Sequence, residues 1–219
     1  YQPLGMGRTS SRFVDFQRRG NRAAGHVKVD GRYLPGPVRM PDAQSPAGGV
    51  SSSVNDMCRW LAMLIGQGTV AGRRVVHAAA LAPALSPQIR SSPNGYYGYG
   101  FNVGTSDAGQ LNYNHSGAFA LGAATHFRVV PDIGLGMVVL TNGYPVGVAE
   151  ALVAQFFDLV EFGALQRDWP TLFAQAFAAL DLTEGSLVGV PPPANPQPPQ
   201  ALESYSGSYN NDYHGPLQV

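Results

Sequence analysis

A histidine, a serine and a glycine stand side by side at His115-Ser116-Gly117, followed by Ala118 and flanked by apolar runs. An imidazole can steady negative charge or pass a proton near neutral pH. The neighbouring hydroxyl can donate to a carboxylate or a backbone group of a bound molecule. Gly117 has no Cβ, so that molecule can lie against the backbone. At the end of a strand facing a cleft, such a triplet holds a carbonyl and the chain around it. It is one wall of a site and not a complete catalytic set.

The remaining parts of a catalytic set are not in these residues. There is no Gly-x-Ser-x-Gly elbow. Lys28 is the only lysine, and Gly25 stands three residues before it, so there is no Ser-x-x-Lys. His-Glu-x-x-His, a P-loop and Gly-x-Gly-x-x-Gly are also absent. His26, His77, His115, His126 and His214 have no ligand-like spacing with acids, so neither a metal nor another cofactor is expected. Net charge is zero without acidic or basic blocks, which argues against nucleic acid and anionic membranes as partners. No apolar run approaches the roughly 18 residues of a membrane span. Cys58 is the only cysteine, which rules out a disulfide within the chain. Its place in an apolar helical pattern predicts a buried, inert thiol.

Elements that could position the triplet follow from periodicity. Charged residues are few, at 13%, and 27 glycines with 18 prolines predict many turns. Gly25–Val29 alternates like a strand and leads through Asp30-Gly31, a two-residue turn, to Arg32–Leu34. Residues 35–49 carry four prolines and read as an irregular segment that covers something or lines a cleft. Ser53 with Asp56 is a capping-box-like start for a helix whose apolar face is Met57, Trp60, Leu61 and Leu64. Tyr96–Val103 reads as one strand with Tyr99, Phe101 and Val103 on a common face. Leu111–His115, Ala123–Val130 and Leu135–Thr141 read as an antiparallel meander. Val148, Leu152, Phe156, Leu159 and Val160 predict a helix packed on that sheet. Asp168 caps a second helix. Six prolines from Pro191 to Pro199 form an extended linker. Tyr205–Val219 then reads as the opening strands of a small β-module.

In this order the chain resembles the serine β-lactamase and penicillin-binding-protein superfamily, in particular its class C-like branch with D-aminopeptidase, D,D-carboxypeptidase and esterase relatives. The stretches that carry the resemblance are Gln2–Met6, Pro46–Ser52 with Asp56-Met57, Tyr97–Phe101, His115–Gly117, and Val130–Asp132 through Val138–Asn142. The resemblance implies an α+β fold, with an antiparallel sheet flanked by helices beside a helical domain. It implies that residues 1–165 are the C-terminal portion of such a domain, that 166–201 are a helix and Pro-rich linker, and that 202–219 begin a lipocalin-like β-domain.

It also implies a role for each residue of the wall. The family's Lys/His-Ser/Thr-Gly motif, on an edge strand, corresponds to His115, Ser116 and Gly117. Ser116 and Gly117 would hold substrate, and His115 replaces the usual lysine. The Ala118 N–H would be one oxyanion donor, with the nucleophile's own N–H as the other. The Ser-x-x-Lys and Tyr-x-Asn motifs would lie upstream of Tyr1, in a missing N-terminal part that acts as a partner. Ser53-Val-Asn55 is better read as a helix cap, and Tyr209-Asn-Asn211 lies in the terminal module. The implied activity is acyl-enzyme hydrolysis of an amide or ester in a D-amino-acid peptide, a β-lactam or an ester, with this chain alone inactive. The alternative is a non-catalytic binding module of the same family. Histidine for lysine, and apolar Val146 after the Asn142–Pro145 corner, favour peptidase and esterase-like relatives over an efficient β-lactamase. The resemblance favours a periplasmic or secreted location.

Overall fold

The computed structural model describes residues 1–219 and divides them into two compact units, Tyr1–Asp181 and Leu182–Val219. In the first unit a short helix, α1 (Phe13–Gln17), precedes a hairpin of β1 (His26–Val29) and β2 (Arg32–Pro35). Asp30 and Gly31 join these strands, both at positive φ (48° and 74°), the geometry that matches hairpin twist. The Pro-rich stretch includes α2 (Ser45–Gly48) and leads to α3 (Val54–Ile65). A small ribbon of β3 (Thr69–Val70) and β4 (Arg73–Arg74) and the short helix α4 (Ala78–Leu81) follow.

Six strands then form one sheet: β5 (Ile89–Ser92), β6 (Gly95–Tyr97), β7 (Asn102–Thr105), β8 (Leu111–Phe119), β9 (Ala123–Val130) and β10 (Leu135–Thr141). Their order in the sheet is their order in the chain, an antiparallel meander throughout. Helices α5 (Val148–Phe162) and α6 (Trp169–Ala178) complete the unit.

Each face of the sheet has its own helix. On one face α3 packs Leu61 and Leu64 against Phe101, Val103, Tyr113 and Val129, with Trp60 stacked on Phe101 and edge-on to Phe127. Helix α3 starts where the sequence places it, because the Ser53 hydroxyl accepts the Asp56 N–H at 3.3 Å. The Asp56 carboxylate turns away from that cap. It accepts from the Arg8 N–H and the Thr9 hydroxyl and pairs with Arg59 at 2.7 Å, tying residues 8–9 to the helix. Burial pushes the Asp56 carboxyl up, but the bonds from Thr9 and Arg8 and the Arg59 charge overcome it and hold the group below its usual value.

On the other face α5 packs Val153 and Phe157 against Val130, with Leu135, Met137 and Val139 alongside. This is not the predicted stripe. Val148, Leu152, Leu159 and Val160 are exposed, and the buried row holds Ala149, Val153 and Phe157. Ala151 and Ala154 are buried with them. Small residues let the helix axis approach the sheet, so closeness of approach outweighs side-chain bulk in choosing the buried face.

Two further expectations differ. Tyr96–Val103 is not one strand: β6 ends at Tyr97 and β7 begins at Asn102. Between them Gly98 lies so close to the Ala84 carbonyl that a Cβ would stand 2.0 Å from its oxygen, and Gly100 has φ +85°. The glycines mark a turn, and Tyr99 points to solvent while Phe101 and Val103 are buried. Cys58 is exposed, because it lies just past the rim of the buried face of α3, about 60° around from Leu61 and about 120° from Leu64.

The second unit contains one hairpin, β11 (Ser208–Asn211) with β12 (Gly215–Gln218). No helix of the molecule is long and apolar enough to cross a membrane.

Candidate active-site wall

Strand β8 lies inside the sheet for part of its length and at an edge for the rest. Asn102–Thr105 of β7 pair with Leu111–Asn114, whereas β9 pairs with Tyr113 through Phe119. From His115 to Phe119 only β9 is hydrogen-bonded to β8, so the strand has a local free edge. The expected edge strand is therefore confined to the five residues that contain the triplet.

The hairpin geometry fixes which backbone groups face that edge. Ser106 N–H donates to the Gln110 carbonyl at 2.7 Å. Antiparallel partners alternate between bonded and non-bonded pairs, so Asn112 and Asn114 exchange bonds with β7, and Ser116 and Ala118 point the same way. The Phe119 carbonyl, of opposite parity, accepts the Gly122 N–H at 2.9 Å in the turn toward β9. Beyond β7, the Ser116 and Ala118 amides point away from β9, and Ala118 is exposed.

His115 shares a face of the sheet with Tyr113, the face covered by α3. Its Nδ1 lies 2.7 Å from the Ser116 carbonyl and its Nε2 lies 2.8 Å from the Tyr97 hydroxyl. A carbonyl oxygen only accepts, so Nδ1 carries the proton of the neutral ring. Nε2 then accepts from Tyr97, whose ring meets the imidazole edge-on with centroids 5.8 Å apart. If the ring gains a second proton, Nε2 donates and the phenol oxygen accepts. The pair therefore keeps its hydrogen bond in either protonation state. In the sequence Tyr97 stands out only as part of a glycine-rich stretch. Its partnership depends on the Gly98–Gly100 turn, which ends β6 beside the triplet.

Ser116 points to the opposite face, where its hydroxyl donates to Glu150 Oε1 in the first turn of α5. Glu150 is 4% exposed. The hydroxyl expected to reach a substrate is therefore engaged with the protein, leaving the Ser116 backbone for that task. Gly117 is opposite Thr125, and a Cβ on it would come within 2.8 Å of the Thr125 hydroxyl. The glycine is thus needed by the sheet as well as by any molecule laid against it.

The Pro-rich segment lines the end of this edge. The Arg39 guanidinium lies over the Phe119 ring at 4.5 Å and donates to the Gly48 carbonyl at 3.1 Å. A Cβ on Gly48 would meet Phe119 at 2.7 Å. On the other side the β1–β2 hairpin abuts the turn after β8, where a Cβ on Gly25 would be 2.6 Å from the Leu121 carbonyl. Next to the triplet on β9, His126 faces Ser116 in register. Burial, with repulsion from Arg128 and then His115, lowers the His126 imidazole from 6.5 to about 4. It is a neutral, structural histidine at physiological pH.

The six-stranded meander, the two covering helices and the free edge at His115–Phe119 define the sheet half of a β-lactamase/transpeptidase-like fold. The sequence model of the Beta-lactamase family matches residues 1–156, and the chain belongs to that family, one of serine hydrolases. No curated protein matches it. Among solved structures it is similar to the octameric penicillin-binding protein homologue from Pyrococcus abyssi, at 21% identity and TM-score 0.64, over 81% of this chain and 39% of that one. It is also similar to a class C β-lactamase, at 18% identity and TM-score 0.56, over 70% of this chain and 47% of that one. A third is the D-stereospecific amidohydrolase from Streptomyces sp., at 20% identity and TM-score 0.52, over 65% of this chain and 41% of that one. The chain thus spans less than half the length of these structures, and at such identities the likeness concerns fold.

Proposed function

We propose that this chain is the sheet wall of an acyl-enzyme serine hydrolase acting on an amide or ester, in a D-amino-acid peptide, a β-lactam or an ester. The observation that carries the reading is the free edge of β8, where the exposed residue Ala118, its N–H directed away from β9, stands three residues from an imidazole with a defined tautomer. In this reading Ala118 N–H is one oxyanion donor, and His115 steadies or relays charge with Tyr97 as its positioning residue. Gly117 and the Ser116 backbone receive the substrate. The nucleophile and base are of the Ser-x-x-Lys and Tyr-x-Asn types and belong to residues outside this sequence, which has no Ser-x-x-Lys. The proposed setting is the periplasm or the exterior of the cell.

Catalysis with such a donor is electrostatic. Charge develops on the carbonyl oxygen, and an N–H already aimed at it needs no reorganisation; one such donor contributes about 3–4 kcal/mol to the transition state. The test is labelling with a fluorescent penicillin and with an activated ester, followed by peptide mapping. The 219-residue chain alone should take no covalent label. The complete protein should be labelled on a serine outside these residues. A label on any serine of the present chain overturns the proposal.

A further inference from the structure

On the face of the sheet opposite His115 there is an open cavity of about 440 Å³ between the β5–β6 hairpin and strands β7 to β9. Its polar lining includes Asn102, Asn112, Asn114 and Arg128, with Ser92 and Thr105 at the sides. No acidic side chain lines it.

The three asparagines form a ladder with a direction. Asn102 Nδ2 donates to Asn114 Oδ1 at 3.1 Å, and Asn114 Nδ2 donates to Asn112 Oδ1 at 2.9 Å. One end is left with an uncommitted donor, Asn112 Nδ2, and the other with an uncommitted acceptor, Asn102 Oδ1. Asn112 is 4% exposed, so its free amide has little access to water other than through the cavity.

Arg128 lies opposite Asn114 in register and stacks over the Phe157 ring at 5.2 Å. Its Nε is buried without a hydrogen-bond partner. The ion pairs of the molecule are Arg12–Asp15, Arg59–Asp56 and Arg167–Asp107, so Arg128 has none. Nearby acids are committed elsewhere: Asp158 accepts from Trp169 Nε1 and the Gln166 N–H, and Asp107 pairs with Arg167. Glu161, whose Oε1 is itself buried without a partner, acts on Arg128 only through space. Glu161, Asp107 and Asp158 thus favour its charge only from a distance, and a half-buried guanidinium with no direct partner has an open planar fork that suits a carboxylate.

We infer that this cavity is a binding site for a small carboxylate that also carries hydroxyl or amide donors, such as a hydroxy acid or an N-acyl amino acid. The carboxylate pairs with Arg128 and takes the free Asn112 donor, and a ligand hydroxyl or N–H supplies the hydrogen that Asn102 Oδ1 lacks. The site is separate from the β8 edge and stands or falls independently of the proposed hydrolase.

The experiment is a nitrogen-15 NMR titration of the 219-residue chain with D-gluconate, with sorbitol as the polyol lacking the carboxylate. The Arg128 Nε–H and the Asn112 and Asn114 side-chain amides should shift and saturate with gluconate, at concentrations of about 1–20 mM, and should not respond to sorbitol. Arg128→Gln should weaken binding at least about tenfold. Asn94→Asp, on the exposed hairpin at the rim, leaves the core untouched and should weaken it about fivefold at low salt. It therefore tests the site even if the arginine variant fails to fold. Absence of saturation at these signals, an equal response to sorbitol, or unchanged affinity in Asn94→Asp overturns the inference.

Discussion

The two halves of β8 are built from one continuous strand and do different work. Leu111–Asn114 is paired with β7 throughout, with β9 joining on the other side from Tyr113, and Tyr113 and Asn112 are buried. His115–Phe119 is paired on one side, and its Ala118 is exposed. The first half holds the sheet together and so holds the second half still. In the proposed hydrolase a substrate can bind only where pairing stops, because an amide that bonds to a neighbouring strand cannot bond to a substrate. What ends the pairing is the shortness of β7, which starts at Asn102 because Gly98–Gly100 turn the chain.

The sharpest way to break this contrast is to make the same substitution in both halves. Asn112→Pro removes an N–H that the alternation assigns to β7 and should destabilise the fold by about 3 kcal/mol, read as a lower midpoint in urea. Ala118→Pro removes an N–H that no strand uses. It should change stability by less than about 1 kcal/mol while slowing acylation in the complete protein by about 10²–10³-fold. Equal loss of stability in both would show that the edge is not free.

A second, somewhat smaller effect concerns pH. His126 supports the motif from β9, and its folded value of about 4 is below the 6.5 of an unfolded histidine. The unfolded chain therefore takes up the proton first. The stabilisation is whole above pH 6.5 and is lost as pH falls toward 4, by on the order of 2–3 kcal/mol. Urea midpoints at pH 7, 5.5 and 4.5 should fall in that order, and His126→Leu should flatten the series. Asp56, also held low, stabilises in full above the usual carboxyl value of 3.8, and that contribution is lost only as pH falls below it, outside this series.

The smallest effect separates positioning from scaffolding. Tyr97→Phe keeps the ring and removes one hydrogen bond, so stability should change by about 1 kcal/mol or less. The imidazole nitrogen resonances should report a redistribution of tautomers, and turnover of the complete protein should fall about tenfold. Unchanged imidazole resonances would place Tyr97 outside the site.

Much of this architecture was legible because local signals were strong. Ser53 and Asp168 cap the helices they announce, and Asp30-Gly31 turns the hairpin it predicts. Strands β9 and β10 have their expected limits, whereas β8 runs past His115 to Phe119, so the triplet lies within the strand and not at its end. What failed depended on contacts between distant residues. The α5 stripe was misjudged because bulky residues outnumber the alanines that make the approach, and Cys58 because one residue of helical rotation separates it from the core. The triplet could be found by residue type. Its free edge, its tautomer and the commitment of Ser116 to Glu150 could not, since they depend on where β7 stops and where α5 crosses.

The contact between His115 Nδ1 and the Ser116 carbonyl has a further consequence, for the solution behaviour of the chain. A bare strand edge offers donors and acceptors in turn, which is what another chain needs to add itself in register and propagate. With one of its two lone pairs engaged at 2.7 Å by Nδ1, the Ser116 carbonyl is a weaker acceptor between the amides of Ser116 and Ala118. A foreign strand meets a weakened template there, so the imidazole disfavours edge-to-edge pairing at this point.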